Sequence, residues 1–149
     1  MEIAEERLSA KLSGELIALS RDWEREDSCR GYRTNGPEDL EGRRIFCARE
    51  DGVLTGYLFG RVETAEREST VLRKGERYFE LEELYVVPAR RSQGVGRALF
   101  RAAEEALRGE TRMLLLSTAT EDWRRILHFY IEELGMDFWS ARLFKEITG

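Results

Sequence analysis

The residues best placed to do chemistry sit in one stretch, Glu82 to Arg97. An apolar strand, Leu84-Tyr85-Val86-Val87, ends at Pro88. A basic turn with Gly94 and Gly96 follows, and a helix opens at once with Val95, Leu99, Ala102 and Ala106 on one face. The first backbone N–H groups of a helix have no partner inside it, and the helix dipole adds partial positive charge there. Together they make a cradle for an anion such as a phosphate. Glycines without a Cβ let the anion approach the backbone, and Arg90, Arg91 and Arg97 surround it with full positive charge.

The elements that must position this cradle follow from periodicity. Residues 2–8 fit a short strand. Ser9 to Asp27 reads as a helix with Leu12, Leu16, Leu19 and Trp23 on one face. Pro37 suits the first position of a short helix reaching about Glu41. Ile45 to Ala48 is a strand, Asp51-Gly52 is a hairpin turn, and Val53 to about Val62 is the returning strand. Tyr78 to Val87 is the next strand, and a helix follows over about 95–108. Met113 to Ser117 is a short apolar run that reads as a buried central strand. A helix from about Glu121 to Leu134 carries Trp123, Ile126, Leu127, Tyr130 and Leu134 on one face and is stopped by Gly135. Phe138 to Ile147 is expected as a closing strand. No linker divides the chain, so residues 1–149 form one domain.

The spacing of the cradle is neither G-x-G-x-x-G nor G-x-x-x-x-G-K-[ST]. It is Arg91-x-x-Gly94-x-Gly96 after Tyr-Val-Val-Pro. This resembles the coenzyme A pyrophosphate loop of the GNAT superfamily of N-acetyltransferases. The order β-α-α-β-β-β-α-β-α-β fits the same superfamily along nearly the whole chain. Its fold is α/β (α+β), with a central mixed, mostly antiparallel sheet flanked by helices. Near the carboxyl end, members usually have Phe-Tyr, three residues, then Gly-Phe; here Phe129-Tyr130 is followed by four residues before Gly135-Met136. Where many relatives carry an asparagine for the pantetheine arm, this chain has Trp123, so no side chain is assigned to that contact. A single closing strand replaces the usual terminal hairpin. The edge it leaves open points to a homodimer through that strand.

The resemblance implies acetyl transfer from acetyl-CoA to a primary amine. The diphosphate would be held by the backbone from Gln93 through Gly94, Val95 and Gly96 to Arg97, with Arg91 and Ser92 leading in. The backbone of the Tyr85-Val86-Val87 strand would pair with pantetheine and the acetyl oxygen. An alkylamine with a pKa of about 10.4 is neutral only about once in a few thousand molecules at pH 7, so a base is required. Glu82 is the candidate base: it lies four residues before Val86, where several GNAT families place a catalytic glutamate. Strand alternation puts Glu82, Leu84 and Val86 on one face and Glu83, Tyr85 and Val87 on the other; a bulge would make Glu83 the base instead. Tyr130 is the candidate general acid, since a phenol can protonate the leaving thiolate.

In this fold the acceptor usually enters beside the first helices. Trp23, Glu24, Glu26, Asp27 and Tyr32 would suit a cationic amine there, either a small molecule or an amine of a peptide or protein. A formal net charge of −5 argues against nucleic acid as a partner, and no apolar run is long enough to span a membrane. The amino terminus lacks the pattern of a signal peptide. Two cysteines without ligand spacing and a lone histidine make a metal site or disulfide unexpected, and a cytoplasmic setting is the default. The alternative to an enzyme is a non-catalytic acyl-CoA sensor that keeps the same cradle.

Overall fold

The computed structural model describes residues 1–148. Strand β1 (Glu2–Glu6) leads into helix α1 (Ala10–Glu26). The Ser9 hydroxyl caps α1 by accepting from the Leu12 N–H at 3.1 Å, and Asp27 ends it in the left-handed region. A 3₁₀ turn over Pro37–Asp39 precedes β2 (Arg44–Glu50) and β3 (Val53–Thr64). Asp51 and Gly52 join these two strands, both with positive φ as a type I′ hairpin requires. Then come β4 (Arg77–Val86), α2 (Val95–Leu107), β5 (Met113–Leu116) and α3 (Trp123–Leu127), which runs on as a π-helical turn over His128–Glu133.

The five strands form one sheet in the order β1-β2-β3-β4-β5, antiparallel except for the parallel pair β4–β5. The expected α/β architecture is therefore present. Each face buries its own core. Leu99, Phe100, Ala103 and Leu107 of α2 pack with Phe46, Leu58, Phe79 and Leu81. On the opposite face Leu12 and Leu16 of α1 pack with Ile45, Cys47, Tyr57 and Tyr85. Cys47 is a core thiol, and burial pushes its pKa up to about 12, so it is inert.

Two expectations need correction. No strand forms over Phe138–Ile147: Leu143 and Ile147 are each 95% exposed. The segment pairs Phe138 with Trp139 and Leu143 with Phe144 as neighbours, so its apolar residues do not alternate cleanly, and β5 offers only four residues to pair with. For the same reason β5 is a half-buried edge strand rather than a buried central one.

One irregularity shapes β4. Phe59 pairs with Glu83 and Gly60 with Leu81, so Glu82 has no partner on β3 and is the extra residue of a β-bulge. Gly60 is needed at this point because a Cβ there would lie 2.2 Å from the Glu80 carbonyl oxygen and 2.7 Å from the Phe79 ring. Gly60→Ala is therefore expected to destabilise the fold by about 1–3 kcal/mol, read as a lower urea midpoint. Gly14→Ala, in α1 with nothing within 4 Å, should raise stability by about 1 kcal/mol in the same assay.

Candidate functional site

The cradle is formed as its sequence suggests. After β4 the chain makes a short 3₁₀ turn over Pro88–Arg90, then Ser92 and Gly94 take positive φ of 63° and 83°. Left-handed residues set into such a turn let its consecutive amides point outward. None of the backbone N–H groups from Ser92 to Arg97 donates to an acceptor among the described residues; the first helical bond is from Ala98 to the Gly94 carbonyl, at 3.0 Å. At Gly94 a Cβ would meet nothing within 4 Å, so the space beside it is open. Gly96 answers a different need, since its missing Cβ makes room for the Phe129 ring at 3.3 Å.

The arginines around the cradle are tied outward and inward. Arg90 Nε donates to Glu50 at 2.6 Å, and Arg97 pairs with Glu133 of the π-helical turn at 2.9 Å. Arg91 turns back over the sheet: its Nε donates to the Val86 carbonyl at 2.9 Å, and Nη2 meets Glu26 at 2.8 Å. Gln93 folds its amide onto the Ala89 carbonyl at 3.1 Å.

The edge of β4 beside the cradle is open. β5 pairs only with Tyr78–Leu81, so among the described residues the rest of β4 has no strand on that side. The Val87 N–H donates to the Thr55 carbonyl of β3 at 2.9 Å. Antiparallel alternation then turns the N–H and C=O of Val86 to the open side. Tyr85 is committed on both counts: its backbone pairs with Tyr57, and its ring lies in the α1-side core with its hydroxyl donating to Glu26 at 2.5 Å.

The bulge decides where the two carboxylates go. Leu81 and Leu84 both pack into the α2-side core, so Glu82 and Glu83 both turn to the α1 face. Glu82 is held by Arg43 in a two-pronged pair, Nε at 2.7 Å and Nη2 at 3.1 Å, with Arg61 at 4.0 Å. Glu83 lies deeper, in a cage of neutral donors. It accepts from the Tyr57 hydroxyl at 2.8 Å, from the Tyr32 hydroxyl at 3.0 Å and from the Asn35 amide at 3.1 Å. Burial raises its pKa above the ordinary carboxylate value, against the pull of those three donors, and the Glu82 charge beside it adds to the rise.

Tyr57 and Asn35 were not among the residues picked from sequence, and the slip that brings Glu83 to them is visible there. Phe79, Leu81, Leu84 and Val86 alternate except for one extra residue between Leu81 and Leu84. From sequence Asn35 is a residue before the Pro37 turn, and Tyr57 falls inside the expected Val53–Val62 strand.

Beside Tyr32 lies an open cavity of about 570 Å³, lined by Trp23, Glu24, Asp27, Cys29, Arg33 and Thr34 among others. Trp23 stacks on Tyr32 with ring centroids 4.3 Å apart and on Tyr85 at 5.3 Å. Glu24 is spent on the loop: it accepts from the Thr34 N–H at 2.6 Å and hydroxyl at 3.1 Å, which holds its pKa down. Glu26 belongs to Arg91 and Tyr85 and does not line the cavity. Asp27 lines it, and its carboxylate has no hydrogen-bond or ion-pair partner among the described residues.

Tyr130 stands on the other side of the sheet. It packs in the α2-side core against Phe100 and Phe129, with ring centroids at 6.3 and 5.2 Å. Burial, with the Cys29 thiol nearby, pushes its pKa up and keeps the phenol protonated. The structure thus groups Glu83, Tyr32, Trp23 and Asp27 on the α1 side, and Val86, the cradle and Tyr130 around the open edge and α2.

Three solved structures share this fold across nearly their whole length. A ribosomal-protein-alanine N-acetyltransferase from Brucella melitensis matches with a TM-score of 0.67 at 18% identity, covering 98% of this chain and 100% of that one. A Bacillus halodurans protein, solved as a tetramutant, matches with a TM-score of 0.72 at 17% identity over 99% and 100%. An aminoglycoside N-acetyltransferase solved in complex with CoA matches with a TM-score of 0.66 at 18% identity over 99% and 100%. No curated protein matches the chain by sequence. The sequence profile described as Acetyltransferase (GNAT) family matches residues 10–136, most of the chain. With that match, and with the cradle and open strand edge of the fold in place, the chain belongs to the GNAT acetyltransferase family.

Proposed function

We propose that the protein transfers an acetyl group from acetyl-CoA, the cosubstrate of its family, to a primary amine. The observation that supports this most is the run of unpaired amides from Ser92 to Arg97 beside the open Val86 edge. The amides take the diphosphate, with Gly94 giving it room. The Val86 N–H is left to polarise the thioester carbonyl. In other acyl transfers one such donor contributes about 3 kcal/mol of transition-state stabilisation.

Glu83 is the general base, directly or through water. Its raised pKa brings it nearer to the amine's, and its neutral donors fix the carboxylate without neutralising it, as Arg43 does for Glu82. Tyr130 donates to the leaving sulfur. The amine approaches through the cavity at Trp23 and Tyr32, where the unpaired Asp27 favours a cationic acceptor. Glu24 shapes this cavity by pinning Thr34 and contributes no free charge.

Titration calorimetry with acetyl-CoA should show binding, and an amine library should release free thiol. Absence of binding overturns the reading; binding without turnover on any amine would leave a sensor instead. Glu83→Gln should lower kcat by about 10²-fold or more with coenzyme affinity unchanged. Glu82→Gln should change kcat much less and lower the melting temperature.

The pH profile carries the sign of the Glu83 shift. The base works when ionised, and its pKa is raised, so kcat/KM should climb with pH through a limb lying above the ordinary glutamate value of about 4.3. Tyr57→Phe removes a donor that favours the charged form and should move that limb higher still. A limb at the ordinary value in both proteins would exclude Glu83.

A further inference from the structure

Arg91 lies between two places that the proposed reaction uses separately. Its Nε sits on the Val86 carbonyl at 2.9 Å, on the open edge of β4. Its Nη2 meets both oxygens of Glu26, the last residue of α1, at 2.8 and 2.9 Å. The guanidinium carbon stands 5.4 Å from the centroid of the Tyr85 ring, and the Tyr85 hydroxyl holds the same Glu26 carboxylate. Arg90 and Arg97 have partners on other elements, so Arg91 alone among the cradle arginines links the sheet edge to α1.

A guanidinium fork binds a carboxylate or a phosphate with the same donors. Arg91 cannot give Nη2 to Glu26 and turn the whole fork to a diphosphate in the cradle. Its Nε also occupies an acceptor that an amide N–H on the open edge would otherwise use.

We propose that Glu26 and Arg91 form a latch across the open edge of β4. Glu26 holds the guanidinium on the Val86 carbonyl, and a diphosphate ligand draws it off, baring that carbonyl and freeing the Glu26 carboxylate beside α1. The latch rests on the coenzyme reading of the cradle and adds a coupling between the cradle and the acceptor side. Any ligand that favours free Glu26 then tightens the diphosphate, and the reverse holds by linkage.

Calorimetry with CoA on wild type, Glu26→Gln, Arg91→Ala and the double variant tests it. Glu26→Gln removes Arg91's competing partner and should tighten CoA about fivefold, the scale of one half-exposed ion pair. Arg91→Ala should weaken CoA, and adding Glu26→Gln to it should then change nothing. Glu26→Asp keeps the net charge but shortens the reach, and should also tighten CoA. Pantetheine, which has no diphosphate, should bind better to Arg91→Ala than to wild type. Melting curves of the variants check that each is folded.

An equal gain from Glu26→Gln with and without Arg91 would mean only a lost negative charge, and overturns the latch while leaving the coenzyme reading standing. No gain from either Glu26 variant overturns it too. If wild type fails to bind CoA at all, the coenzyme reading falls and takes the latch with it.

Discussion

The site depends on one slipped residue in β4. With strict alternation Glu82 would share a face with Leu84 and Val86, pointing into the α2-side core. The bulge keeps Leu81, Leu84 and Val86 in that core and turns both carboxylates to the α1 face. Arg43 neutralises one, and Tyr57, Tyr32 and Asn35 surround the other. Burying a carboxylate costs several kcal/mol unless its oxygens are satisfied, so the three neutral donors are what make Glu83 tolerable where it is. Because they are neutral they leave its charge available. The same cage ties β3, β4 and the loop after α1 together, so the placement of the proposed base and local stability draw on the same hydrogen bonds.

Much of this was legible in the sequence because the signals were local. The helix opening near Ser9, Asp51-Gly52 as a hairpin and the turn from Pro88 to Gly96 each act over a few residues, and each appears where expected. The acidic set beside α1 was legible only as composition. Charge type cannot say which carboxylate is already paired, and the structure divides the set: Glu24 to the loop, Glu26 to Arg91, Asp27 to the cavity. Asn35 was invisible as a site residue because its role is set by a strand that lies far away in sequence. The closing strand failed for a related reason: a strand at a sheet edge needs a partner, and apolar content alone does not supply one.

The additional residue after Phe129-Tyr130 has a physical resolution. A π-helical turn absorbs one residue into a helix by widening a single turn, and the turn over His128–Glu133 lies where the sequence is one longer than the family pattern. The Leu134 N–H makes the wide-turn bond to the Phe129 carbonyl at 3.0 Å, and beyond Gly135 the Met136 N–H caps the end on the Tyr130 carbonyl at 2.9 Å. The insertion is thus taken up around and after the aromatic pair. Phe129 still reaches Gly96 at the start of α2, and Tyr130 still reaches Phe100. Gly96 consequently serves packing: a side chain there would push Phe129 away and disturb both helices at the mouth of the cradle.

The two groups assigned to proton transfer stand on opposite faces of the sheet, and the open edge of β4 lies between them. In the proposed reaction the amine loses its proton on the side from which it arrives, and the sulfur gains one on the side to which it leaves. Placing both groups on one face would let Glu83 and Tyr130 bond to each other, tying up the base. The sheet prevents this. It also makes the reaction depend on a gap in the ladder, because a thioester can meet both groups only where β4 and β5 have parted. β5 stops at Leu116, opposite Leu81, two residues before Glu83 begins the segment to which the proposed chemistry is assigned. The short length of β5 is therefore a requirement of the site: four more residues of parallel pairing would satisfy the Val86 N–H and close the slot.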